Sequence, residues 1–148
     1  MTAKLKVRRT GAVQVPLPAY QTPGSAGLDL CAALAESARL EPGDRRLVPT
    51  GLVFEIPEGY EGQVRPRSGL ALKHGISIVN SPGTIDSDFR GEVGIVLINH
   101  GREPYVVEPL SRIAQIVICR VEQVEIEEAR TLSETSRGAG GYGSTGHR

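Results

Sequence analysis

An all-β domain, built as a sandwich or a barrel, is the fold class this sequence predicts. Three observations predict it. Short β-branched runs recur along the chain. Eighteen glycines and ten prolines punctuate them. Helical character is confined to two brief stretches. Short strands separated by regular turn signals build sandwiches and barrels. The 148 residues fit one domain, long enough for a sizeable core without disulfide staples.

Taken in order, strands are expected at "LKVRR" (Leu5–Arg9), "RRLVPTGLVFEI" (Arg45–Ile56), "GISIVN" (Gly75–Asn80), "GEVGIVLIN" (Gly91–Asn99), "PYVVEP" (Pro104–Pro109) and "RIAQIVICRVEQVEI" (Arg112–Ile126). "CAALAESARL" (Cys31–Leu40) has helix propensity, but "EPGD" follows closely. A helical turn and a strand end both fit there, because tertiary context overrides propensity. "SGLALKHG" predicts a short helix that Ser68 caps and Gly75 stops. Asn80 and Pro82-Gly83 predict a tight hairpin turn, with Thr84 and Ile85 restarting a strand. The runs "GIVLIN" and "IAQIVIC" are apolar at nearly every position, which implies burial on both faces. A small antiparallel domain lacks the layers for that, so an oligomer is expected. Beyond Leu132 the β-branched residues stop. This divides the chain into a β domain, residues 1–132, and a flexible glycine-rich tail, residues 133–148.

Composition narrows the function classes. Lys+Arg 17 balances Asp+Glu 17, so no global field recruits nucleic acid. The two cysteines, Cys31 and Cys119, form no C-x-x-C pair, and a reducing compartment fits. No apolar run spans a membrane, and "MTAKLKVRRT" lacks the apolar core of a signal peptide. These features read as a soluble cytoplasmic protein. No P-loop, nucleophile elbow or H-E-x-x-H motif is present, and His74, His100 and His147 are not spaced as metal ligands.

Four stretches could carry chemistry. In "RPRSGLALKHG", Arg67 and Ser68 stand where a short helix begins; a guanidinium, a hydroxyl and free backbone N–H groups suit an anion, and an ordinary helix cap fits as well. In "NSPGTIDSDFRGE", backbone groups at fixed spacing could read a flat heterocycle, and Asp86 could activate water; a plain turn with solvated carboxylates is the simpler reading. In "SRIAQIVIC", Arg112 and Gln115 enter a core run, and an ion pair with a carboxylate would satisfy Arg112. In the tail, an arginine could clamp a phosphate, a tyrosine could stack on a base, and glycines would let the backbone approach closely.

Their joint order is specific. "SAGLDL" (Ser25–Leu30), "RPRSGLA" (Arg65–Ala71), "NSPGTIDSDFRGE" (Asn80–Glu92), "SRIAQ" (Ser111–Gln115) and "RGAGGYGSTG" (Arg137–Gly146) resemble the five ordered motifs of the trimeric dUTP diphosphatases, the dUTPases, over nearly the whole chain. The resemblance implies a distorted jelly-roll, β-clip-like barrel subunit with one short helix. It implies a homotrimer whose active sites are shared between chains. It also implies Mg²⁺-dependent hydrolysis of dUTP to dUMP and pyrophosphate, which keeps uracil out of DNA and supplies dUMP for thymidylate synthesis.

Carried over residue by residue, Asp86 matches the carboxylate that activates the attacking water, and Asp29 matches the aspartate that orients metal-bound water. Arg67, Ser68 and Gly69 match the phosphate-binding turn. Asn80, Gly83, Thr84, Ile85 and Asp86 match the uracil reader, and Phe89 the ring under the sugar. Gln115 matches a phosphate contact, with Arg112 beside it mainly structural. Gly94 matches a backbone contact. Arg137, Tyr142 and Gly143 match the closing tail, with Arg137 on the terminal phosphate and Tyr142 over the base. Two positions depart from the pattern: Phe89 stands where tyrosine is usual, and Tyr142 where phenylalanine is frequent. The related deoxycytidine triphosphate deaminases use a glutamate base and a longer chain, and "TIDSDFRGE" and the tail argue against them. A non-enzymatic jelly roll would be expected to lack the base or the tail, and both are here.

Overall fold

Alternating burial shapes this molecule more than local propensity does. The computed structural model describes residues 3–142. Its elements run β1 (Lys6–Arg9), β2 (Leu28–Cys31), β3 (Ala38–Leu40), β4 (Arg45–Glu55), β5 (Tyr60–Arg65), α1 (Ser68–His74), β6 (Ile76–Ile78), β7 (Gly83–Ile85), β8 (Glu92–Asn99), β9 (Tyr105–Val107) and β10 (Arg112–Arg120). Two four-stranded antiparallel sheets form, β1-β4-β8-β6 and β2-β10-β5-β7, with a separate β3-β9 ribbon. This is a jelly roll distorted by the ribbon and by α1.

Strand β8 shows why the sheets pack. Val93, Ile95 and Leu97 are almost fully buried, and β4 sets Val48, Leu52 and Phe54 beside them. The second sheet adds Leu28, Leu30, Val64 and Ile116 to the same cluster. Each such side chain contributes roughly 1.5–3 kcal/mol on leaving water. The alternate residues Val96 and Ile98 remain only half-buried, beside exposed Leu47 and Val79. Leu47 is paired directly with Val96. Within one chain, therefore, the second face of the apolar run is left uncovered.

For Cys31–Leu40 the strand-end reading holds, with β2 ending at Cys31 and β3 at Leu40, and no helix forms. The backbone there is engaged elsewhere, with Ala32 N–H donating to Ser111 O and Ala33 N–H to Pro49 O. The predicted hairpin after β6 does not form either. The turn is tight, but β6 pairs with β8 while β7 pairs with β5. Turn residues hand the chain from one sheet to the other, and turn chemistry alone does not tell the two outcomes apart. Ser68 is the first helical residue and not the cap; Arg67 holds the N-cap position with no side-chain cap bond. Gly75 ends the helix as expected, in the left-handed region with φ 69°. Strand β10 stops at Arg120, six residues short of Ile126, because beyond Val121 no strand of the described chain pairs with it. Strand β5 went unread, since "YEGQVR" is mostly polar. It forms because Gly62 and Val64 turn inward; a Cβ on Gly62 would lie 2.7 Å from Ile116 Cδ1.

Among the described residues, every buried side-chain nitrogen and oxygen has a hydrogen-bond partner. Asn99 is fully buried. Its amide nitrogen donates to Leu40 O at 3.1 Å and Glu103 O at 2.9 Å, and its oxygen accepts from Gly101 N–H at 2.8 Å. Replacing it orphans three groups, one on β3 and two in the loop between β8 and β9. Asn99→Ala is expected to lower stability by about 1–3 kcal/mol, read as a shift of the urea midpoint with an unchanged slope.

Candidate active site

Asp29 lies on β2 between inward-facing Leu28 and Leu30, so alternation turns it to the outer face of its sheet. Register places Gln115 directly opposite Asp29 on one side and opposite Arg65 on the other. The three side chains therefore form one row across β2, β10 and β5. Arg67, just past the end of β5, donates Nε–H to Asp29 Oδ1 at 3.0 Å, and Arg112 donates from Nη1 to Asp29 Oδ2 at 3.0 Å. A bulge between Arg112 and Ala114 brings Arg112 into reach. The expected carboxylate partner of Arg112 is thus Asp29. A cleft of about 650 Å³ opens over this row, and Ser68, Gly69, Lys73 and His74 of α1 form part of its wall.

Gln115 is held tightly. Its Nε2 donates to Pro66 O at 2.9 Å, and its amide oxygen lies against Gly27 with no room for a Cβ there. Burial raises the Cys31 thiol above its ordinary range. The Asp29 carboxylate adds to that rise, while Arg112 and Arg67 oppose it. Both cysteines are free. Burial also raises the Tyr105 phenol, with the Arg67 guanidinium pulling the other way.

The structure thus brings together Asp29, Arg67, Ser68, Gly69 and Gln115. It does not bring the other described candidates to them. Asn80, Gly83, Thr84, Ile85 and Asp86 lie on and around β7, two strands across from β10. The pairing Gly62↔Ile85, continued by one residue, sets Asp86 opposite Glu61, four residues along β5 from Arg65. At roughly 4.8 Å per strand and 3.3 Å per residue, Asp86 stands about 16 Å from Gln115. Asp86 is exposed, and its carbonyl accepts from Phe89 N–H at 3.2 Å. The Asn80 amide folds over Gly83, 3.3 Å from where a Cβ would sit. Phe89 is exposed, with its ring folded over Gly91. Gly94 belongs to the other sheet, opposite Pro49 and under the Leu47 side chain. Arg137 donates Nε–H to Gly140 O at 2.8 Å, Tyr142 is exposed, and neither lines the cleft. Gly143 lies outside the described residues.

Sequence reasoning missed Gly27, Arg65, Lys73 and His74 as cleft residues. The i, i+2 spacing of Glu61, Gln63 and Arg65 was the available signal, had β5 been read as a strand. For a metal ion, no group of three or more His, Cys, Asp or Glu side chains gathers among the described residues. Both Asp29 oxygens already accept from a guanidinium. Mg²⁺ keeps several waters and is commonly held by one or two carboxylates with substrate phosphates. Asp29, facing the cleft with lone pairs left over, fits a hydrated ion and not a direct cage.

A family model described as dUTPase matches residues 13–146. The deoxyuridine 5'-triphosphate nucleotidohydrolase of Anaeromyxobacter sp. (strain Fw109-5) is 57% identical over 148 residues, covering 99% of this chain and 99% of its own. That of Beijerinckia indica subsp. indica is 58% identical over 142 residues, covering 95% of this chain and 89% of its own. Among solved structures, a mutant dUTPase of Staphylococcus bacteriophage 80alpha with dUpNHpp superposes with a TM-score of 0.88 at 26% identity, covering 98% of this chain and 99% of that one. The dUTPase of phage phi11 of S. aureus, in a structure concerned with coordination of a structural Mg(II) ion, gives a TM-score of 0.77 at 25% identity, covering 86% and 97%. With the matched motifs, the β architecture and relatives this close along almost its full length, the chain belongs to the dUTPase family.

Proposed function

We propose that this protein hydrolyses dUTP to dUMP and pyrophosphate in a homotrimer whose sites are divided between copies, with Asp86 of one copy activating water at the phosphate cleft of another. One observation carries the reading. The cleft residues and the base lie on one sheet yet about 16 Å apart by strand spacing, too far for one chain to close a site. The uncovered apolar residues Leu47 and Val79, and Val124 and Ile126 beyond β10, support assembly.

The phosphate end rests on Arg67, whose guanidinium suits oxyanions, and on the hydroxyl and backbone N–H groups of Ser68 and Gly69. Gln115 fixes the Pro66 carbonyl and so the approach to this turn, and its second N–H stays available to a phosphate oxygen. Mg²⁺, bound with the triphosphate and steadied by Asp29 through water, supplies charge neutralisation and orientation of the phosphates. Asp86 takes the proton from the attacking water, with no covalent intermediate. The tail, residues 133–148, brings Arg137 to the terminal phosphate and Tyr142 over the base, with Gly143 next to it.

The base end rests on β7. Among the described residues this strand pairs only with β5, which leaves its other edge with N–H and C=O groups that no strand takes up. Uracil offers one N–H donor flanked by two carbonyl acceptors. Cytosine reverses the donor and one acceptor, which orphans polar groups on both sides. The Asn80 amide beside Gly83 adds a polar contact, and Gly94 a backbone one. Phe89 packs under the sugar and leaves no room for a 2′-hydroxyl. Such a role belongs in the cytoplasm, where nucleotides are made; no helix among the described residues is long and apolar enough to cross a membrane.

Pyrophosphate release across the common nucleoside triphosphates is expected for dUTP, with dTTP, dCTP and UTP far slower. Comparable turnover of UTP would remove the sugar role of Phe89, and ammonia release from dCTP would favour a deaminase. Asp86→Asn is expected to fold and bind nucleotide while kcat falls by about 10²–10⁴-fold; near-parental kcat at saturating Mg²⁺ would dismiss Asp86 as the base. Divided sites are checked by mixing. Asp86→Ala and Arg67→Ala are each expected to be inactive, and unfolding them together and refolding should restore activity. Mixed assemblies without activity would place base and cleft residue in the same copy.

A further inference from the structure

Helix α1 carries the phosphate turn, yet none of its seven residues is buried. A helix this short is not stable alone. Only Leu70 rests against the core, so the helix also depends on contacts at its ends. At its start, Arg67 reaches Asp29 and also donates from Nη1 to Arg112 O at 3.3 Å. At its end, the His74 ring lies against the Tyr105 ring, with centroids 5.1 Å apart and planes inclined at 46°. The His74 carbonyl presses on Gly101, where no Cβ would fit, and His100 N–H donates to Gly75 O at 2.9 Å. Tyr105 is itself fixed. It sits on β9, paired with Leu40 of β3, and packs against the core. Asn99 shapes the loop between β8 and β9 by holding both Gly101 N–H and Glu103 O.

Resting on the phosphate cleft proposed above, we infer that His74 and Tyr105 are positioning residues: their ring contact sets the roll of α1 about its axis, and so the aim of Arg67, Ser68 and Gly69 at the triphosphate. Tyr105 does not line the cleft and touches the helix through the His74 ring. The Asp29 ion pairs hold the start of the helix and Leu70 rests on the core midway, and the ring contact adds a side-chain restraint on the roll at the far end.

The test uses the full chain with His74→Ala, Tyr105→Ala and Tyr105→Phe. Titration calorimetry with inorganic pyrophosphate and with dUMP runs beside dUTP kinetics. An aromatic pair of this kind corresponds to about a three- to tenfold change. Both alanine variants are expected to raise KM for dUTP and weaken pyrophosphate binding by that factor, with kcat and dUMP affinity within about twofold. Tyr105→Phe keeps the ring and should match the parent. The inference fails if folded His74→Ala leaves pyrophosphate affinity unchanged. It fails equally if Tyr105→Ala folds without the effect of His74→Ala, which would make His74 a direct ligand. Loss of dUMP affinity in step with pyrophosphate would indicate general loosening and also overturn it. Should Tyr105→Ala not fold, Tyr105→Leu, which removes the ring but keeps apolar bulk, takes its place in the comparison. A parent that binds pyrophosphate but does not cleave dUTP would sink the proposed function and leave this inference standing.

Discussion

The Asp29 carboxylate is the point on which the cleft depends. Its two oxygens hold two guanidinium groups from segments far apart in sequence, one before α1 and one at the start of β10. With only 14% of its side chain exposed, the carboxylate needs those partners. The arginines are more open to water, so the pairs are modest in energy, and their value lies in geometry. They order the wall of the cleft during folding, before any ligand arrives. A ligand then meets side chains whose rotamer freedom is already spent.

Much of the fold was legible because apolar runs in β4, β8 and β10 leave little choice. Gly75 was legible as a helix stop because a left-handed residue follows the last turn. Among the features that were not, two share a cause in partner choice and burial. Strand β5 hid behind polar residues, since its inward positions include Gly62, which carries no side chain to signal burial. The passage from β6 to β7 read as a hairpin, because a change of sheet uses the same proline and glycine. Partner choice is a long-range fact that neither residue encodes locally.

The sequence offers candidate site residues but not their places. Arg67 and Ser68 could be read as an anion turn, and Asp86 as a base. No spacing in the sequence says that Asp86 falls opposite Glu61, six residues back along β5 from Arg67. The register does say it, because each strand adds a fixed width and each residue a fixed rise. Gln115 illustrates the same gap. Its polarity inside a core run demanded a partner, but the partners, the Pro66 carbonyl and the bare face of Gly27, come from segments far away in the sequence.

The open edge of β7 has another side. A strand with unpaired backbone groups invites a further strand from any passing chain, the route by which sheets grow into aggregates. Here the edge is three residues long. Pro82 precedes it without an N–H to donate, and Asp86 follows it with a charge. A short edge bounded in this way can engage one flat, planar ring and offers too little ladder to nucleate a foreign strand. The features that suit the edge to a small ligand are also those that keep it from sticking to its neighbours.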